Sequence, residues 1–245
     1  MSRLSAALVH LTISFAIATI LFALAWFVYY PAPTFVAIGG FDVFLLLVGI
    51  DVILGPLLTL LVFKSGKRSL KFDLAVIALL QLAALIYGAS KIYEARPVFI
   101  AALGSKFQLV QATEVNDGNV KKSGRSLPMF GPKWVGTKAP TNRLDIEEVN
   151  DVTNLAGGGL GHFPQFHLPF EETASVVLAQ ARPIERLFAV PGNDPDKIKA
   201  WLDKRGYTPE RARYQPVEIT VSRFALMLDA ATGAPIGMSP FRSDE

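Results

Sequence analysis

Residues 43–63 read VFLLLVGIDVILGPLLTLLVF, an apolar run with one ionisable side chain, Asp51, and one helix-breaking pair, Gly55-Pro56. At about 1.5 Å per residue this run reaches roughly 30 Å, the thickness of bilayer hydrocarbon, and so predicts a membrane-spanning helix. Two more runs flank it. Leu8–Tyr30 carries His10 as its only ionisable side chain besides the terminal tyrosines, and Phe72–Tyr93 carries Asp73, Gln81 and Lys91. Three such runs so close together would leave a soluble fold with almost no polar helix face. The first is also far longer than the 7–15-residue apolar core of a cleaved signal peptide, so it reads as an uncleaved anchor.

The charges of the 245-residue chain follow this division. Before Pro97 stand seven Lys or Arg against Asp42, Asp51, Asp73 and Glu94, and the remainder is balanced, so the net +3 belongs to the membrane part. Lys64, Lys67, Arg68 and Lys71 fill the second short loop and Arg3 precedes the first span, whereas Pro31–Asp42 has no basic residue. The bias of basic residues toward the cytoplasm predicts a cytoplasmic N-terminus and a C-terminal region outside the inner membrane. Trp26, Tyr29, Tyr30, Tyr87 and Tyr93 fall at the span ends on that outer side, where amphipathic rings suit the headgroup region. With no cysteine there is no disulfide framework, thiolate zinc site or cysteine nucleophile.

The predicted organisation is α+β: a three-span membrane domain over residues 1–96 and a small domain over 97–245, with antiparallel strands and short helices. Pro97–Leu103 and Lys106–Val110 read as strands around Gly104-Ser105. Asp194-Pro195 reads as a helix start, with Ile198, Trp201 and Leu202 on one face and Gly206 beyond the end. Val217–Leu228 alternates with a phase change near Ser222, which suggests a bulge or break. Thr173–Arg182 and Ile184–Val190 suit helices or strands equally.

A carboxylate near the middle of a span needs a partner. Antiparallel packing of the second and third spans puts Gln81 at the depth of Asp51, so an Asp51–Gln81 hydrogen bond is expected, with reception of a polar group from another protein's helix as the functional alternative. Gly55-Pro56 should bend the second span or allow close packing. His10 and Asp73, both near the cytoplasmic end, are close enough to headgroup water for ordinary solvation, or to each other for a pair.

Chemistry is sparse in the outer region. His162 and His167 flank Pro164 and cannot form an HExxH helix pair, and the run from Gly157 to Gly161 lacks the phosphate-loop pattern. No nucleophile elbow surrounds Ser175 or Ser222. No catalytic, metal or cofactor residue is assigned, and the neutral domain does not suggest nucleic acid. The loop Asn116–Pro140 is expected to pack Phe130 and Trp134 onto the domain, with a partner surface as the second choice.

Several stretches together carry a resemblance: Gly49 to Leu60 with its Asp51 and Gly55-Pro56, Leu70-Lys71-Phe72-Asp73-Leu74-Ala75, Gln81-Leu82, Tyr87-Gly88, Tyr93-Glu94-Ala95-Arg96-Pro97 and Leu127-Pro128-Met129-Phe130-Gly131-Pro132. On these the chain resembles the type IV pilin accessory proteins, densely over Leu8–Leu109 and thinly beyond. The resemblance implies a non-enzymatic inner-membrane chaperone, without a cofactor, that binds the membrane helix and globular head of a cognate pilin and promotes its stability or assembly. It carries over Asp51, Gly55, Pro56, Asp73 and Arg96-Pro97 with no role attached. The rival classes are an envelope enzyme acting on a lipid-linked or polymer substrate and a structural subunit of a pilus or secretion apparatus.

Overall fold

The computed structural model describes residues 2–30, 32–156, 159–219 and 222–244. It divides into two compact units, Met1–Pro31 with Gly39–Ala95 and Ala32–Ile38 with Arg96–Glu245. The first holds three helices long and apolar enough to cross a membrane, α1 (Arg3–Tyr29), α2 (Gly40–Val62) and α3 (Leu70–Glu94). Large apolar side chains point outward all along them, Phe15, Phe27, Leu46, Phe72 and Leu79 among them. Water would penalise such a surface, and hydrocarbon does not.

α2 packs against both α1 and α3. At one end of this unit the helices are joined by aromatic contacts. Phe22 lies 5.2 Å from Phe44, Tyr29 meets Tyr93 edge-on at 5.5 Å, and the buried Tyr30 donates its hydroxyl proton to the Ile92 carbonyl. Three of the expected interface anchors, Tyr29, Tyr30 and Tyr93, therefore serve helix packing, while Tyr87 stays exposed with Lys91 over its ring. Glycine makes the closest helix approaches. A Cβ at Gly88 would collide with Leu47, and one at Gly55 would overlap Gln81 Nε2 and stand 2.9 Å from His10 Nε2. All three helices meet at Gly55.

The second unit is built on one mixed sheet. Its strands are β1 (Pro97–Ala102), β2 (Phe107–Gln111), β3 (Lys133–Thr137), β4 (His167–Pro169), β5 (Arg182–Pro183), β6 (Ala212–Ile219), β7 (Ser222–Asp229) and β8 (Pro235–Arg242). The order is β4-β3-β1-β2-β6-β7-β8, with β5 also paired to β6. The expected antiparallel pairing around Gly104-Ser105 is present, β6 and β7 form a further antiparallel pair, and parallel pairs β1–β3 and β2–β6 join them. β1 is buried at every position, the mark of a central strand covered on both faces. One face packs Ile100, Phe107, Leu109, Val217, Leu226 and Leu228 around Phe170. Ala37 and Ile38, from the short connection between α1 and α2, join that core. On the other face of β6 and β7, Tyr214 and Met227 meet two short helices, Ile184–Phe188 and Pro195–Asp203.

The Pro195–Asp203 helix forms as its cap predicts. Asp194 Oδ1 accepts from the amides of Asp196 and Lys197, and Ile198 and Leu202 are fully buried. Ala174–Ala179 and Ile184–Phe188 are helical, which decides the two ambiguous segments. Ile219 pairs with Ser222, so the phase change there separates two strands of a hairpin rather than marking a bulge within one strand. Thr220-Val221 lie outside the described residues, as do Gly157-Gly158 of the glycine run.

Polar groups inside the sheet domain act as ties. Arg96 is buried and its Nε donates to the Pro128 carbonyl, 3.1 Å away, joining two motifs far apart in sequence. Gln215, fully buried, donates to the carbonyls of Val177 and Gly104 at 2.7 and 2.8 Å. Near the C-terminus, Asp244 accepts from Arg182 and Tyr214, both at 2.6 Å, and pairs with Arg186. Burial pushes the Asp244 carboxyl upward, but these donors together hold it below the ordinary carboxylate range. Burial and the adjacent carboxylate push the Tyr214 hydroxyl up.

Gly55→Ala forces a methyl against Gln81 and should destabilise the detergent-solubilised protein by about 1–3 kcal/mol. Gly49, on the same helix, has nothing within 4 Å of the same methyl, so Gly49→Ala should melt no lower than wild type. Equal melting curves, followed by circular dichroism, would show that the Gly55 crossing is loose.

His167 is 5 % exposed, sets its Nε2 3.0 Å from the Gly161 carbonyl, and lies edge-on to Phe99. Burial pushes its pKa down from 6.5 to about 4, with Gly161 opposing the shift. Between those values the unfolded chain binds a proton that the folded domain refuses. The domain therefore has its full stability above about pH 6.5 and should lose roughly 3 kcal/mol as pH falls to about 4. Hydrogen exchange of the β1 and β4 segments against pH should show that slope, and His167→Gln should flatten it.

Candidate functional site in the membrane unit

Pro56 determines the local geometry of the middle of α2. It has no N–H, and its ring crowds the preceding turn. Residues Gly49–Leu54 respond by widening into a π-type turn, in which a carbonyl at position i looks to the N–H at i+5. For Asp51 that position is Pro56, so its carbonyl has no donor within its own helix.

Gln81 on α3 supplies one. Its Nε2 donates to the Asp51 carbonyl at 3.2 Å and lies beside the same residue's carboxyl group. The expected Asp51–Gln81 contact is therefore present, and its hydrogen bond reaches the backbone. Gly55, one turn away, gives Gln81 the space to do this. Asp51 itself is only 7 % exposed, and its Oδ1 accepts no hydrogen bond from the described residues.

Asp51 lines a cleft of about 510 Å³ contained within this unit. α2 contributes Asp51 and Thr59, α1 contributes His10, Ile13 and Ile17, and α3 contributes Gln81 and Leu85. Ile13 and Leu82, on opposite walls, are more than half exposed, so the cleft opens on an apolar surface. It occupies the end of the unit away from the aromatic contacts and has Asp51 near its deep limit. Two of its polar groups are engaged with neighbouring helices, Gln81 as above and His10 through a 2.6 Å bond between Nδ1 and Thr59 Oγ1.

The other residues singled out in the sequence are dispersed. Asp73 pairs with Lys67 at 2.6 Å and accepts from Ser69, so the alternative pairing with His10 is not made. Trp134 lies on β3 and packs edge-on to Phe107 and Phe170 at 6.1 and 6.5 Å, whereas Phe130 is 63 % exposed beside an exposed Met129. The loop that holds both aromatics thus packs one of them and leaves the other largely outside. His162 is buried with its Nε2 3.2 Å from Gln108 Nε2, and His167 contacts Gly161. Burial lowers the His162 pKa despite the nearby Glu114. Sequence reasoning missed Ser14 and Thr59 as cleft residues. Their spacing from His10 along α1, and from Asp51 by two helical turns along α2, is the signal that would have placed them on the same faces.

Curated relatives bear on this arrangement. Two proteins of Dichelobacter nodosus, "Fimbrial assembly protein, serogroup E1" and "Fimbrial assembly protein, serogroup I", are each 27 % identical to the chain over 220 residues, covering 85 % of it and 83 % of each relative. A third, "Fimbrial assembly protein, serogroups C1 and C2" from the same organism, is 42 % identical over 94 residues, 38 % of this chain and 72 % of that protein. No family model and no solved structure matches. With that coverage at that identity, the chain belongs to the fimbrial assembly protein family.

Proposed function

We propose that this protein acts in type IV pilus assembly as a non-enzymatic inner-membrane accessory that binds a cognate pilin and keeps it stable before polymerisation. The observation that carries the reading is the cleft in the membrane unit. It is apolar, opens on a surface whose solvent is hydrocarbon, and is of a size to take side chains from one face of another helix. Relatives named for fimbrial assembly supply the process. Binding rather than turnover suits the residues present, because His10 and Gln81 are held in helix-to-helix hydrogen bonds instead of converging on a free reaction centre.

In this reading the N-terminus and the loop around Lys67 are cytoplasmic and the sheet domain is periplasmic, where it faces the pilin head while the cleft receives the pilin helix. The exposed Met129 and Phe130 are the surface offered to the head.

Because the chain has no cysteine, single introduced cysteines report topology cleanly. In intact cells with a permeabilised outer membrane, an impermeant maleimide should label Met129→Cys and not Ser65→Cys. The reverse pattern would overturn the orientation. For the client, a photoreactive residue at Leu82 and another at Met129 should each trap the pilin in cells making both proteins. If neither position ever yields a pilin adduct, the helper reading fails.

A further inference from the structure

We infer that the occupant of the membrane cleft is a helix that donates a hydrogen bond to the Asp51 carboxyl group near the bilayer midplane; this rests on the reading above that the cleft receives another protein's helix. Asp51 is the twelfth of the 23 residues of α2. The headgroups on either side are therefore roughly 15 Å away. The side chain is more than nine-tenths buried, it lines the cleft, and its Oδ1 has no donor among the described residues.

A buried acceptor left unsatisfied in an apolar medium carries a penalty of about 1–3 kcal/mol or more. The polar neighbours leave Oδ1 without a bond. The hydrogen bonds of Gln81 and His10 go to the Asp51 backbone carbonyl and to Thr59, and Gln81 also stands beside the carboxyl group. A lipid acyl chain has no donor, and a lipid headgroup cannot reach this depth without leaving the interface. Such an occupant is a membrane-spanning helix with an apolar face and one amide, hydroxyl or amine-bearing side chain at its centre. Its apolar side chains would lie against Ile13, Ile17 and Leu85.

The test uses the full-length protein in liposomes, with a photoreactive residue at Leu82, and synthetic 23-residue leucine-rich helices as probes. One helix has a single asparagine at position 12, one has it at position 5, and one has none. Position 12 is central whichever way the peptide inserts, and position 5 lies roughly 10 Å off. The central-asparagine peptide should crosslink about tenfold more than the all-leucine peptide, the scale expected of an interhelical hydrogen bond in lipid. The off-centre peptide should show no gain.

Asp51→Leu should abolish the gain. Asp51→Asn, nearly isosteric and still an acceptor, should keep it. Equal yields from the three peptides in the wild-type protein, or a gain that survives Asp51→Leu, would overturn the inference. Should Asp51→Leu fail to fold, the wild-type peptide contrast decides alone. If the peptide contrast holds while the pilin is never trapped in cells, the cleft's chemistry stands and the client assignment falls. If the pilin is trapped and the peptides do not differ, the opposite is true.

Discussion

The membrane unit depends on one hydrogen bond, from the side-chain amide of Gln81 to the backbone carbonyl of Asp51. Hydrocarbon offers no water to a carbonyl that its own helix has abandoned, so the lesion made by Pro56 must be repaired by another helix. The repair has geometric consequences. Gln81 can reach only if α2 and α3 approach closely, and Gly55 permits that approach by having no side chain. Proline, glycine and glutamine therefore operate as one device, in which each residue makes sense only with the other two. With the Gln81 amide directed to the main chain, Asp51 Oδ1 is buried without a donor among the described residues.

The same solvent explains how the three helices are distributed in space. Between helices in lipid there is no gain from hiding apolar surface, so association rests on close packing and polar contacts. The unit shows both. Tyr29, Tyr30 and Phe22 join the helices at one end through ring contacts and a hydroxyl donor, and the Gly55 crossing and the His10–Thr59 bond join them further along. Beside the latter contacts the outer walls separate, and the cleft is the result. A bundle in water would collapse such a gap onto its apolar lining, whereas hydrocarbon exerts no comparable pressure to close it.

Elements set by composition and by short spacing were readable before the fold was seen. The three spans need only a long apolar run, and the Asp194-Pro195 start needs only a cap beside a residue with no N–H to lose. Features decided by distant partners were not readable. Nothing near Trp134 says that it will pack on Phe107 and Phe170 while Phe130 faces out, and nothing near Gln215 says that its amide will reach Gly104 and Val177. The parallel pairs β1–β3 and β2–β6 join segments whose alternation carries no sign of direction. The site lies between these cases. The depth match of Asp51 and Gln81 follows from counting along antiparallel helices, but the bond to the carbonyl required the π-type turn, which is a response of the backbone and not a property of any residue type.

A lone acceptor in lipid selects among helices mainly by exclusion. Every membrane helix offers apolar side chains, so the lining of the cleft can hardly discriminate one from another. An all-apolar helix seated there would add no donor to the Asp51 carboxyl, whereas a helix carrying one donor at the matching depth would, and the difference between the two sets the selectivity of the inferred site. The preference is also one of register, since about 10 Å of vertical displacement removes the donor from reach as completely as deleting it. In the proposed role, a helper that reads depth in this way needs no extended recognition surface inside the bilayer, which leaves recognition of the rest of a client to the sheet domain.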